Sequence, residues 1–171
     1  PSFVGISTFL QSPLIQTSVG LKEKDVDVAI MGAPFDMGVV NRPGARFGPR
    51  AIRQAGYFGA PNDDLYHMGL QVYPTDVLSV ADFGDANCPP SSLERSHEAI
   101  QTKVSDCLKA GALPIVVGGD HSITLPSATA VADHYGRGKV GIVHFDAHAD
   151  LRNSYNGNKF SHASAIRRCL D

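Results

Sequence analysis

Residues 113–150 read LPIVVGGDHSITLPSATAVADHYGRGKVGIVHFDAHAD, and this stretch decides the fold. Leu113–Val117 is a short, β-branched apolar run closed by Gly118-Gly119, the pattern of a buried strand. The segment ITLPSATAVADHYG follows with helical composition and Pro126 near its start, where a helix tolerates proline. Val140–Phe145 is a second apolar run, read as another strand and closed by DAHAD. Strand, loop, helix and strand at this rhythm predict an α/β domain with a mainly parallel sheet and helices on both faces.

The same rhythm extends upstream. Val26–Met31 reads as a buried strand that ends in the loop GAPFDMG. GPRAIRQAG then offers Pro49 for a first helical turn and Gly56 for a stop. Val77–Phe83 is a further strand, ending at Gly84-Asp85. In PPSSLERSHEAIQTKVSDCLKAG, residues 89–111, Ser91 and Glu94 fit a capping box. Leu93, Ile100, Val104, Cys107 and Leu108 form one apolar face, and Gly111 ends the helix. Ligands of open parallel sheets gather at the carboxyl ends of the strands, and GGDHS and DAHAD both fall there.

Composition narrows the function classes. The 171 residues carry 15 Lys and Arg against 17 Asp and Glu, for a net charge of -2 with both signs spread along the chain. That balance gives no footprint for nucleic acid or an anionic membrane. No apolar run approaches the length that spans a bilayer, and residues 1–13 lack the layout of a secretory signal. Cys88, Cys107 and Cys169 are odd in number and widely spaced, which predicts reduced thiols in a cytoplasmic protein rather than disulfides or a thiolate metal site.

The chemistry concentrates in DAHAD. An extended backbone continued past Phe145 turns Asp146, His148 and Asp150 to one side, because strand side chains alternate. Two carboxylates and an imidazole so close repel and desolvate one another unless a cation holds them. Mixed Asp and His donors suit Mn²⁺, Zn²⁺, Fe²⁺ or Ni²⁺. His121, at the neighbouring strand end, is the natural fourth ligand. His144 is read as a core or supporting histidine inside the strand, and Asp120 as a residue that orients its loop or a ligand histidine. Asp146 and Asp150 can each bridge, so the set accommodates two metals.

GGDHSITLP (118–126) and HFDAHADL (144–151) resemble the N-terminal metal motifs of the ureohydrolase family, which includes arginase and agmatinase. GAPFDMGVVNRPGARFGPRAIR (32–53) resembles the agmatinase branch, and the His of KFSHASAIRR falls where that family places a catalytic histidine, His162. The resemblance runs from about Gly5 to Asp171. It implies a three-layer α/β/α domain and a binuclear manganese centre, with nickel or zinc fitting the same donors. His121 would bind one metal and His148 the other, Asp146 would bridge them, and Asp150 would bind the first. The family also uses two aspartates of a later Asp-x-Asp motif and a later glutamate. Residues 1–171 hold neither, so they correspond to the N-terminal part of a single ureohydrolase domain whose C-terminal part is absent. A free-standing sheet of this extent is expected to leave a strand edge and an apolar face uncovered.

The resemblance further implies that water attacks the guanidinium carbon of a linear guanidino compound to release urea, with agmatine giving putrescine as the leading expectation. Asp150 would accept a hydrogen bond from the nucleophile. His162 would protonate the departing amine, imidazole titrating nearest neutral pH. Asn153, Ser154, Tyr155 and Asn156 lie between the metal motif and His162 and are the candidate substrate-binding residues. Arg152 and Lys159 would repel the ammonium of agmatine and attract the carboxylate of 4-guanidinobutanoate if they faced it; they are read as facing solvent. Ala163 stands where agmatinases commonly have glycine, which opens the alternatives of a guanidinobutyrase or another guanidino-acid or guanidine hydrolase. Arg42, Arg46 and Arg50 are read as making structural or subunit contacts, and the resemblance implies a trimer or hexamer. Two readings of other classes are a noncatalytic metal-binding subunit or fragment and a zinc deacetylase, against which GGDHS argues.

Overall fold

A computed structural model describes residues 4–55 and 66–171. The expected helix stop at Gly56 lies outside these residues. In chain order the elements are α1 (Ser18–Glu23), β1 (Val28–Ala33), α2 (Gly48–Ala55), the single turn α3 (Pro74–Val77), β2 (Val80–Asp85), α4 (Leu93–Ala110), β3 (Leu113–Gly118), α5 (Thr124–Tyr135) and α6 (Ala165–Leu170). Short 3-10 turns occupy Phe9–Gln11, Ala45–Phe47, His121–Ile123 and His162–Ser164. No helix among the described residues is long and apolar enough to cross a membrane.

The three strands are parallel and lie in the order β2-β1-β3. β1 is central and buried along its whole length. Its alternate residues serve two layers, as the strand period requires. Ala29, Met31 and Ala33 join Phe83, Ile100, Val104, Cys107 and Leu108 in the main core under α4. Val28 and Ile30 pack with Phe9 on the opposite face, where α2 also lies. Helix–sheet–helix is therefore the layering, as expected. One connection from β1 leads to β2 on one side and the chain then crosses to β3 on the other, so β1 and β3 flank the point where strand order reverses. Ligands favour that crevice.

An ionic tie fixes α2 and the N-terminal turn to β2. Arg53 donates to the buried carboxylate of Asp82 through Nε (2.7 Å) and Nη2 (2.9 Å), and to Asp85 through Nη1 (2.6 Å). The Phe9 N–H donates to the same Asp82 (3.0 Å). Burial pushes the Asp82 carboxyl up, but the Arg53 guanidinium and the two N–H donors outweigh it and hold it below the ordinary range.

Two expectations need correction. The cap of α4 is Ser92, whose hydroxyl accepts from the Arg95 N–H (3.2 Å), not Ser91. Glu94 then sits at the second helical position and receives the Ser92 hydroxyl (3.2 Å) instead of closing a capping box. The larger correction is Val140–Phe145, which forms no strand. Its Ile142 borders a cavity with Val116, Ile123 and Val131 on the α5 side, but Val143 and Phe145 are 82% and 94% exposed. Leu113 and Ile115 of β3 are bare as well. A parallel strand is stable when paired and covered on both faces; this segment is covered on one.

Candidate metal centre and active site

Two loops meet at the carboxyl ends of β1 and β3. Gly119 makes the approach (φ +27), because a Cβ there would strike the carbonyl oxygens of Phe35 and Ala33. The Asp120 N–H then donates to Phe35 O (2.8 Å). The Asp120 carboxylate receives the N–H groups of Gly38 (2.7 Å) and Ser122 (2.7 Å). Asp120 thus orients loops, one of its two expected roles, and its oxygens are occupied by backbone donors.

This arrangement presents His121 to the DAHAD segment. His121 Nδ1 lies 2.5 Å from Asp150 Oδ2 and 3.8 Å from Asp146 Oδ2. His144 stacks on His121 with ring centroids 5.2 Å apart, and its Nε2 lies 3.5 Å from Asp146 Oδ2. That Nε2 is shielded from solvent and makes no hydrogen bond among the described residues. One donor atom from each of His121, His144, Asp146 and Asp150 falls within 4.8 Å of the other three. Two imidazoles and two carboxylates at this spacing fit a borderline divalent cation.

His148 departs from the expected geometry. Its side chain is 82% exposed and is not brought into the four-donor group. The reason is local: without a strand, alternation ends at Phe145, and Asp146 Oδ1 accepts the His148 N–H (2.9 Å) in a tight turn. The Asp146 carboxylate nonetheless faces two ways, Oδ2 toward His121 and His144, and Oδ1 toward His148 Nδ1 at 3.5 Å. The His148 N–H, with the nearby histidines, holds the Asp146 carboxyl below its ordinary range. His144, read from the sequence as a core or supporting residue, stacks on His121 and approaches Asp146, a position that suits support of the ligand histidine and also brings its Nε2 within reach of the donor group.

His162 is anchored by Gly38, whose carbonyl receives its backbone N–H (3.1 Å) and stands 2.9 Å from its Nδ1. With His121, Asp146, His148, Asp150, Arg152, Tyr155 and Ala163, His162 lines a cavity of about 750 Å³. A second cavity, of about 550 Å³, runs from His162 along Val39–Arg42.

A sequence profile of the arginase family matches residues 26–171. The chain belongs to the arginase family. Over 171 residues it is 38% identical to a guanidinobutyrase of Pseudomonas aeruginosa, covering all of this chain and 51% of that protein. It is 39% identical to the mitochondrial agmatinase of Gallus gallus, over 98% of this chain and 46% of the other. Among solved structures, proclavaminate amidinohydrolase from Streptomyces clavuligerus superposes with a TM-score of 0.84 at 31% identity, over 99% of this chain and 53% of that one. A Trypanosoma cruzi formiminoglutamase solved with Mn²⁺ gives a TM-score of 0.73 at 30% identity, over 91% and 52%. The chain spans about half the length of the relatives it matches.

Within this arginase-family frame the loop 152–156 differs from its expected use. Of the four candidate substrate-binding residues, Tyr155 alone lines the cavity. Asn153 accepts from Arg168 Nη2 (2.7 Å), a structural contact. Asn156 and Gly157 form a two-residue hairpin turn closed by paired bonds between Tyr155 and Asn158 (3.0 and 2.9 Å), and Ser154 is exposed outside the cavity. Arg152 is exposed, as read, and at the same time lines the cavity, with its guanidinium 5.0 Å from the Tyr155 ring centroid. Arg46, as expected, is structural: it pairs with the buried Asp36 carboxylate, which also accepts the N–H groups of Gly44 (2.7 Å) and Arg46 (3.1 Å). Ala163, which the sequence tied to substrate choice, lines the cavity too; the anchor Gly38 is the part of the site that sequence reading did not assign, and the loop GAPFDMG was the one available signal for it.

Proposed function

We propose that the protein hydrolyses the terminal guanidinium of a linear guanidino acid of the 4-guanidinobutanoate type, releasing urea and an ω-amino acid. One observation carries this choice of substrate: the cavity that holds the His/Asp group also holds Arg152. The carboxylates in its lining draw a guanidinium, and Arg152 draws a carboxylate. Agmatine, cationic at both ends, meets repulsion there. Agmatine is the second reading, favoured because Arg152 is exposed and water screens that repulsion.

His121, Asp146 and Asp150 would hold one divalent cation, with His144 beside them, and Asp146 and His148 a second; the two-sided Asp146 carboxylate supports its role as a bridge. Manganese is the proposed metal, and nickel and zinc suit the same donors. When bound, such a pair lowers the pKa of water and supplies hydroxide near neutral pH. Asp150, close against His121, keeps that histidine oriented and offers an acceptor for the nucleophile's proton. His162 takes up at its free Nε2 a proton released by the attacking water, and as the bond from the guanidinium carbon to the chain nitrogen breaks it passes that proton to the departing amine. Tyr155 packs against Arg152 and flanks the His162 ring at 6.1 Å, shaping the wall along the substrate chain.

The test is urea release with Mn²⁺ from 4-guanidinobutanoate, agmatine, arginine and guanidine. The expected order puts 4-guanidinobutanoate first in kcat/KM. Arg152→Met should lower that value about tenfold, the worth of one screened charge contact, and leave agmatine unchanged or improved. A preference for agmatine that Arg152→Met does not alter would reverse the assignment.

A further inference from the structure

We propose that Asp120 is a positioning residue for His162, acting through the Gly38 peptide units to set which imidazole nitrogen is free. The inference rests on the catalytic reading of His162 given above. His162 Nδ1 lies 2.9 Å from Gly38 O. A carbonyl oxygen only accepts, so Nδ1 carries the proton and Nε2 of the neutral ring is bare. The same carbonyl takes the His162 backbone N–H (3.1 Å), so ring and main chain are pinned to one atom.

Gly38 is itself held from the other side. Its N–H donates to Asp120 Oδ2 (2.7 Å), while Asp120 Oδ1 is locked by Ser122 N–H (2.7 Å). Asp120 is buried, at 6% exposure. A Cβ on Gly38 would come within 3.0 Å of both carboxylate oxygens and 2.9 Å of Ser122 Oγ, so the carboxylate rests directly on the glycine. The result is a chain from the loop after β3, through the loop after β1, to a histidine 124 residues from Gly38 in sequence. Free imidazole favours the proton on Nε2; the Gly38 carbonyl reverses that preference only while it stays in place. Carboxylate charge strengthens the bond that keeps it there. A neutral ring with its proton on Nε2 has no lone pair there to take up the proton it must pass on, so the tautomer is a functional setting.

The experiment is long-range ¹H–¹⁵N correlation of the His162 ring in ¹⁵N-labelled, metal-free protein above its titration range. The native ring should show protonated Nδ1 and bare Nε2. Asp120→Asn, whose amide can accept only through its one oxygen, should move the ring toward Nε2–H. With Mn²⁺ and substrate it should lower kcat about tenfold with KM little changed, a modest part of what general acid catalysis contributes. If Asp120→Asn does not fold, Gly38→Ala, whose Cβ would press on the Asp120 carboxylate, is read in the same way. A native ring protonated on Nε2, or an unchanged Nδ1–H ring in the folded variant, overturns the proposal. The tautomer needs no substrate: the expected shifts in a protein that releases no urea would refute the hydrolase reading and leave the positioning role standing.

Discussion

The chain contains two apolar runs that end in Phe-Asp, and they meet opposite fates. VAIMGAPFD (28–36) becomes the central strand and the loop that leaves it, with Phe35 and Asp36 at 2% and 1% exposure. VGIVHFD (140–146) stays outside the sheet, with Phe145 at 94% exposure. Composition does not separate them. What does is the number of neighbours: β1 has a strand on each side and a layer on each face, whereas 140–145 pairs with no strand and only Ile142 turns toward a cavity lined by α4, β3 and α5. The difference also divides the chemistry. Asp36 is sealed on Arg46 and two backbone donors, and although burial pushes its carboxyl up, those contacts hold it below the ordinary range. Asp146 turns Oδ2 toward His121 and His144 and Oδ1 toward His148, whose N–H it also accepts. The covered copy stabilises the fold, and the open copy presents a carboxylate to the residues proposed to hold a metal.

The sharpest way to break this contrast is to truncate both phenylalanines. Phe35→Ala is expected to lower the unfolding free energy by about 3–5 kcal/mol, the cost of a large core aromatic. Phe145→Ala should stay within about 0.5 kcal/mol. Urea denaturation of the two variants decides it, and equal losses would mean that residues 140–145 are packed in solution. Next in size is the metal. Asp150→Ala should weaken Mn²⁺ binding about a hundredfold or more, above the range for residues that merely support a ligand. His148→Ala should cost less for the first equivalent and more for the second, read by titration calorimetry. A first equivalent lost with His148 would move that side chain into the primary group. Third, Arg46→Met leaves the Asp36 carboxylate to its backbone donors and should cost about 2 kcal/mol, less than a fully buried pair because Arg46 is partly exposed.

How much of this could be read from the sequence follows the same line. β1, β2 and β3 start and end within three residues of the expected positions, because apolar runs bounded by glycine and aspartate are local signals. The GGDH turn and the gathering of His121, Asp146 and Asp150 were legible because a strand end and a short spacing confine them. Val140–Phe145 was misread because a run records how apolar a segment is, not what covers it. His148 followed that error, since its direction was derived from strand alternation. Asn153 was lost to Arg168, 15 residues away, and Arg152 was gained by stacking on Tyr155; such pairings are set by tertiary geometry alone. Asn156-Gly157 could have been recognised, since Asn-Gly is the commonest sequence of a tight hairpin turn.

The smallest expected effect probes the covered side of the comparison through His97. This residue of α4 stands edge-on to Phe35 with ring centroids 5.5 Å apart, and its buried Nε2 has no hydrogen-bond partner among the described residues. Burial lowers its pKa below the ordinary 6.5, outweighing the attraction of Asp120 and Glu94. The unfolded chain therefore takes up this proton first as pH falls. Stability contributed by the neutral ring is complete above the unfolded value and is lost progressively as pH drops from there toward the depressed folded value. Unfolding free energies measured at about pH 7.5 and about pH 5.5 should differ, and the difference should shrink in His97→Phe, which keeps the aromatic contact and removes the titration. The same fall in both proteins would assign the acid sensitivity to other groups and show that the packing around Phe35 admits a charged ring, which would erase one of the contrasts between the two Phe-Asp segments.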